Sequence, residues 1–202
     1  MEVARPISDY LDDDAIQRLH EQLAARGWPC RPVEVTGADG TTKTDRLGRY
    51  GTTLRLMPDA MPDGFKTWRV RANDGLCVPV VAFEVSAWSL REGGHAPFAR
   101  LASTAHRSEA SGPARSKATA TLMGNVKKAL DRKAPQTFRR DPDEHNMSFG
   151  VPFATVRLPD GGAAETVDAA ADCIAAWCEV AVPWFNENWS TIANRIPLEE
   201  RC

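Results

Sequence analysis

The stretch from Leu76 to Trp88, Leu-Cys-Val-Pro-Val-Val-Ala-Phe-Glu-Val-Ser-Ala-Trp, is apolar at both strand parities. Val78, Val80, Ala82 and Trp88 lie on one face, and Cys77, Val81, Phe83, Val85 and Ala87 on the other. A strand that is apolar on both faces must be covered on both, which predicts a place at the centre of a sheet. One charge interrupts it, Glu84, at the parity of Val80, Ala82 and Ser86. An unpaired carboxylate there would carry a heavy desolvation cost or take up a proton, so it needs a partner. The pattern leaves two roles open for Glu84: a structural one, as an ion pair with Arg69 or Arg71 across a hairpin or a place near the strand's wet end, or a metal-binding or acid/base carboxylate.

The rest of the chain falls into elements around that strand. Asp12-Asp13-Asp14 places negative charge where a helix start favours it, Leu19 and Leu23 continue its apolar stripe, and Gly27 stops it. Val33–Val35 reads as a short strand, 41–50 as a polar loop, and 53–56 as a strand with Leu54 and Leu56 inward and Arg55 outward. Residues 57–64, with two Pro-Asp pairs and a glycine, predict a connection without regular structure. Trp68, Val70 and Ala72 alternate with Thr67, Arg69 and Arg71, and Asn73-Asp74-Gly75 supplies a tight turn that pairs this strand antiparallel with the central one.

Beyond it the pattern predicts a short helix over 96–105 and a longer one from Arg115 to Lys133, with Leu122, Val126, Ala129 and Leu130 on one face. A strand follows over Phe149–Leu158. Val167, Ala170, Ala171, Ile174, Trp177 and Ala181 then form a long helical stripe that Pro183 should end or kink. Trp184, Phe185, Trp189 and Ile192 supply an aromatic stripe for the core or a dimer surface. The expected fold is α+β: an antiparallel or mixed sheet of about five strands, flanked by an N-terminal helix, a basic middle helix and a long C-terminal helix, in one domain over 1–202.

A formal net charge of −2 conceals a strong segregation. Residues 91–140 hold 11 basic and 3 acidic side chains, and 141–202 hold 3 and 11, so the middle could either grip a polyanion or be neutralised by the tail. The candidate phosphate contacts are Arg115, Lys117, Lys127, Lys128, Arg139 and Arg140. No apolar run approaches the length of a membrane span, and the N-terminus lacks a secretory pattern, which predicts a soluble, cytoplasmic protein. Five scattered cysteines write neither a disulfide framework nor a zinc knuckle. His20, His95, His106 and His145 fall on different elements and read as surface or loop histidines.

Dinucleotide, phosphate-loop, serine-hydrolase and zincin motifs are all missing from the sequence. What remains is Glu84 and the order helix, antiparallel strands, helix, strand. Over residues 10–158 that order, with Glu84-Val85-Ser86 on one strand and Asp74 (or the more distant Asp63 or Asp59) before it, resembles the core of the restriction-endonuclease-like nucleases. The resemblance implies a divalent metal such as Mg held by Asp74 and Glu84 as catalytic carboxylates; Ser86 stands where that family carries its lysine. Two classes of function follow as expectations. One is a nucleic-acid-associated protein acting on DNA or RNA, with a nuclease-like but degenerate site. The other is a non-enzymatic subunit, adaptor or immunity-type protein working through a protein partner or a homodimer.

Overall fold

The computed structural model describes residues 13–36, 42–44, 46–47, 53–67, 69–71, 77–79, 81–86, 97–103, 113–139, 151–159 and 162–195. Its strands are β1 (Cys30–Pro32), β2 (Glu34–Thr36), β3 (Thr42–Thr44), β4 (Arg46–Leu47), β5 (Thr53–Pro58), β6 (Arg69–Arg71), β7 (Cys77–Pro79), β8 (Val81–Ser86), β9 (Phe98–Ser103) and β10 (Val151–Arg157). The helices are α1 (Asp13–Ala25), α2 (Asp63–Thr67), α3 (Pro113–Lys133) and α4 (Ala163–Ala193). The larger sheet runs β1-β5-β8-β9-β10 with β4 attached to β5, and the smaller runs β3-β2-β7-β6. Every pairing among the described residues is antiparallel, and the class is α+β.

The stretch apolar on both faces does occupy the centre: β8 is the middle strand of five, and Val81 to Val85 are all buried. It serves two sheets, because β7 pairs with β6 in the smaller one and β8 with β5 and β9 in the larger. Pro79, at the end of β7, has no amide hydrogen to carry a ladder onward. The β6–β7 pairing is the hairpin expected around Asn73-Asp74-Gly75, whose own residues lie outside the described set.

Register separates the two faces of the larger sheet. Leu54 and Leu56 stand opposite Val85 and Phe83, which stand opposite Ala99 and Leu101. Cys30 belongs to the same face, since Pro32 pairs with Leu56, and its thiol meets that of Cys178 on α4. That hydrogen bond, together with burial, pushes the Cys178 thiol up, which suits unreactive core filling. α4 therefore covers the apolar face, and Ile174, Trp177, Ala181 and Phe185 are buried there with α1's Leu19 and Leu23. α1 ends at Gly27 with φ of 81°, the left-handed stop expected of that glycine. Arg18–Asp168 (3.0 Å) and Arg26–Asp172 (2.7 Å) tie α1 to α4.

Several elements differ from the sequence pattern. Residues 98–103 form strand β9, not a helix: Ala99, Leu101 and Ala102 are buried between β8 and β10, and that burial overrides the helical preference of alanine. Within the expected loop 41–50 lie β3 and β4. Within the connection 57–64, Asp63 opens α2, which docks Phe65 against Phe185 and Trp189 at 4.9 and 4.3 Å. Pro183 neither ends nor divides the last helix, which continues to Ala193. It stands on the exposed side, where the carbonyl it leaves unpaired, that of Glu179, can be hydrated. His20 is a half-buried helix residue with Nδ1 2.7 Å from the Cys30 carbonyl oxygen, so Nδ1 carries the hydrogen of that bond.

The β10 edge is partly covered by the turn after α3. The Thr155 amide donates to the Arg139 carbonyl (2.9 Å), Trp177 Nε1 donates to the Thr137 carbonyl (2.9 Å), and Phe138 is buried beneath. Occupying that edge bond removes a site at which another strand could pair.

Candidate functional site

Arg55, Glu84, Arg100 and Thr155 stand side by side across four strands, in direct register from β5 through β8 and β9 to β10. They project from the face opposite the one α4 covers, yet all four are buried, Glu84 and Arg55 to 1 % exposure. Arg55 Nε donates to Glu84 Oε1 at 2.9 Å, and Arg100 Nε donates to Oε2 at 2.9 Å, with Arg100 Nη2 closing on the same oxygen. The Arg100 guanidinium also lies 5.8 Å from the centre of the Phe98 ring.

Glu84 thus has charged partners, but not Arg69 or Arg71. Those two belong to β6 in the other sheet, while Glu84 pairs across β5 and β9. Arg55, expected to point into water, is instead the buried first member of the row. Burial alone would push the Glu84 carboxyl up; Arg100 and then Arg55 outweigh it and hold the pKa at about 2. The carboxylate is ionised at neutral pH, with both oxygens accepting charged hydrogen bonds. Its chemistry is that of an electrostatic cross-link joining three strands.

The other acidic candidates do not gather around it. Asp59 pairs with Arg31 (2.7 Å) and Asp63 with Lys66 (3.1 Å), both as exposed side chains. Asp74 lies outside the described residues. Among the described residues no group of three or more His, Cys, Asp or Glu side chains could hold a metal ion.

The basic candidates divide. Lys127 is 20 % exposed and donates to both oxygens of Asp131 (3.0 and 2.8 Å) and to the Phe153 carbonyl (3.2 Å), pegging α3 to β10. Lys128, its neighbour, is exposed, as are Arg132, Lys133 and Arg139. Arg139 bonds Gln136, three residues before it. Arg115 and Lys117 lie on the first turns of α3, and Arg140 lies outside the described residues. Among the described residues Lys128, Arg132 and Lys133 have no ion-pair partner. The acidic helix α4 does not neutralise them: Asp168 and Asp172 pair with α1, and Glu165, Glu179 and Glu187 are exposed.

Arg55 and Arg100 were the residues hardest to foresee. Both are separated from Glu84 by too many residues for hairpin logic, and only the register of β5 and β9 brings them in. Arg132 and Lys133 carried a visible signal, their place in the last turn of a basic helix, which fits dipole compensation equally well. Comparison with protein-family models, with curated proteins and with solved structures gives no match for this chain.

Proposed function

We propose that the chain associates with nucleic acid without cleaving it, holding phosphates on the exposed side of α3 and the turn that follows. The observation that carries this reading is the exposed set Lys128, Arg132 and Arg139, which α4 leaves unneutralised. Asp131, the one acidic residue of α3, is bound to Lys127. Charge of one sign collected on one side orients a polyanion there even when the whole chain is slightly negative. The exposed Glu165, Glu179 and Glu187 of α4 add to that orientation by repelling it elsewhere. A carboxylate already engaged by Arg55 and Arg100 is a poor metal ligand, so the nuclease-like arrangement, if inherited, is degenerate in this chain.

Fluorescence anisotropy with labelled DNA and RNA over a salt series tests the reading. Three neutralised phosphates on a duplex give a slope of log K against log salt of about −2.7. No binding to any nucleic acid at low salt, with the protein shown to be folded, rejects it. The second reading, a non-enzymatic subunit or adaptor, is favoured by the exposed acids of α4 standing on the same molecule as the exposed cations of α3. It requires salt-sensitive self-association or association with a protein partner.

A further inference from the structure

On α3, at 3.6 residues per turn, positions 121, 125, 128 and 132 fall within an arc of about 60° and extend for about 16 Å along the axis. They hold Thr121, Asn125, Lys128 and Arg132, a stripe with no acidic, apolar or aromatic member. All four are exposed, while Leu122, Met123, Val126 and Leu130 are buried on the other side. We infer that this stripe takes the sugar-phosphate backbone of a double helix and discriminates against single strands, an inference that rests on the nucleic-acid reading above.

Three features select the duplex. Sequence-tolerant single-strand sites combine a basic groove with aromatic platforms on which bases stack. The stripe has no aromatic residue, and Phe138, the aromatic nearest the end of α3 in sequence, is buried. A helix of about 10–12 Å diameter matches the width of the B-form major groove, so it can lie along or within the groove, whereas the major groove of A-form RNA is too narrow. The cations also come as an ammonium and a guanidinium group beside the exposed Asn125 amide, a mixture that contacts phosphate and sugar oxygens. Lys128 and Arg132, one helical turn apart and about 40° around the axis, reach successive phosphates of one strand.

Lys133 provides the internal control, because it is exposed but lies about 100° around the helix from Arg132. The experiment compares binding of a mixed-sequence 20-base-pair DNA duplex with binding of a 20-nucleotide oligo-dT, for the wild type, Lys128→Glu/Arg132→Glu and Lys133→Glu, with circular dichroism confirming the fold of each. Duplex binding at least about tenfold tighter than oligo-dT, lost in the double variant and reduced less than about threefold by Lys133→Glu, supports the stripe. Oligo-dT binding as tight as duplex binding overturns the duplex inference. A loss from Lys133→Glu equal to that of the double variant overturns the stripe and leaves a diffuse basic surface. Binding of neither probe overturns the duplex inference, and failure to bind RNA as well removes the underlying nucleic-acid reading.

Discussion

Glu84 stands directly opposite Arg100 in the β8–β9 ladder, and Nε and Nη2 of that arginine both address its Oε2, while its other oxygen belongs to Arg55. A carboxylate buried this deeply between two guanidinium groups is costly to alter. Glu84→Gln leaves two buried cations facing a neutral amide, and the loss expected from breaking such a buried pair is about 3–5 kcal/mol. Chemical denaturation of the variant measures it. Unchanged stability, or a divalent-metal affinity in the wild type that the variant loses, would contradict the structural role.

The same triad sets an acid limit. The Glu84 pKa is about 2 in the folded chain, against an ordinary value of 4.5, so the unfolded state binds the proton first as pH falls. Its contribution to stability is complete above about pH 4.5, declines below that and is exhausted near pH 2. The shift corresponds to about 3 kcal/mol. Thermal melts from pH 6 to pH 2 should show this decline in the wild type and a shallower one in Glu84→Gln.

Gly64 is held by a close approach. A Cβ built there would collide with the Trp189 indole, so one of them must move. Alanine gains about 1 kcal/mol of helix propensity at most, less in a five-residue helix, whereas overpacking costs about 1–3 kcal/mol. Gly64→Ala is expected to destabilise the chain and shift tryptophan fluorescence, and a stabilised variant would show that α2 does not pack on α4 as described.

Lys127 and Lys128 are adjacent in sequence and opposite in role. Lys127→Ala removes the bonds to Asp131 and the Phe153 carbonyl and should lower stability by about 1 kcal/mol. Lys128→Ala should leave stability unchanged and weaken nucleic-acid binding. The reverse pattern in paired melts and binding isotherms would overturn the assignment.

That pair shows where sequence legibility ends. The centrality of β8 was readable because both parities of 77–88 are apolar, and α1, α3 and α4 were readable because their stripes repeat at the helical period. β9 was not, since Phe-Ala-Arg-Leu-Ala-Ser fits a helix as well as a strand until β8 and β10 are placed on its two sides. That Glu84 needs partners followed from desolvation alone; that they are Arg55 and Arg100 depends on strand order. The survival of α4 past Pro183 depends on which side of the helix the proline faces, and the difference between Lys127 and Lys128 on which of them α3 turns toward β10.

The most direct test of the nucleic-acid reading is the salt dependence of duplex binding by wild type and by Lys128→Ala/Arg132→Ala. If each side chain neutralises one phosphate, the slope of log K against log salt flattens by about 1.8 in the double variant, with thermal stability unchanged. An unaltered slope, or no binding by the folded wild type in low salt, would contradict it.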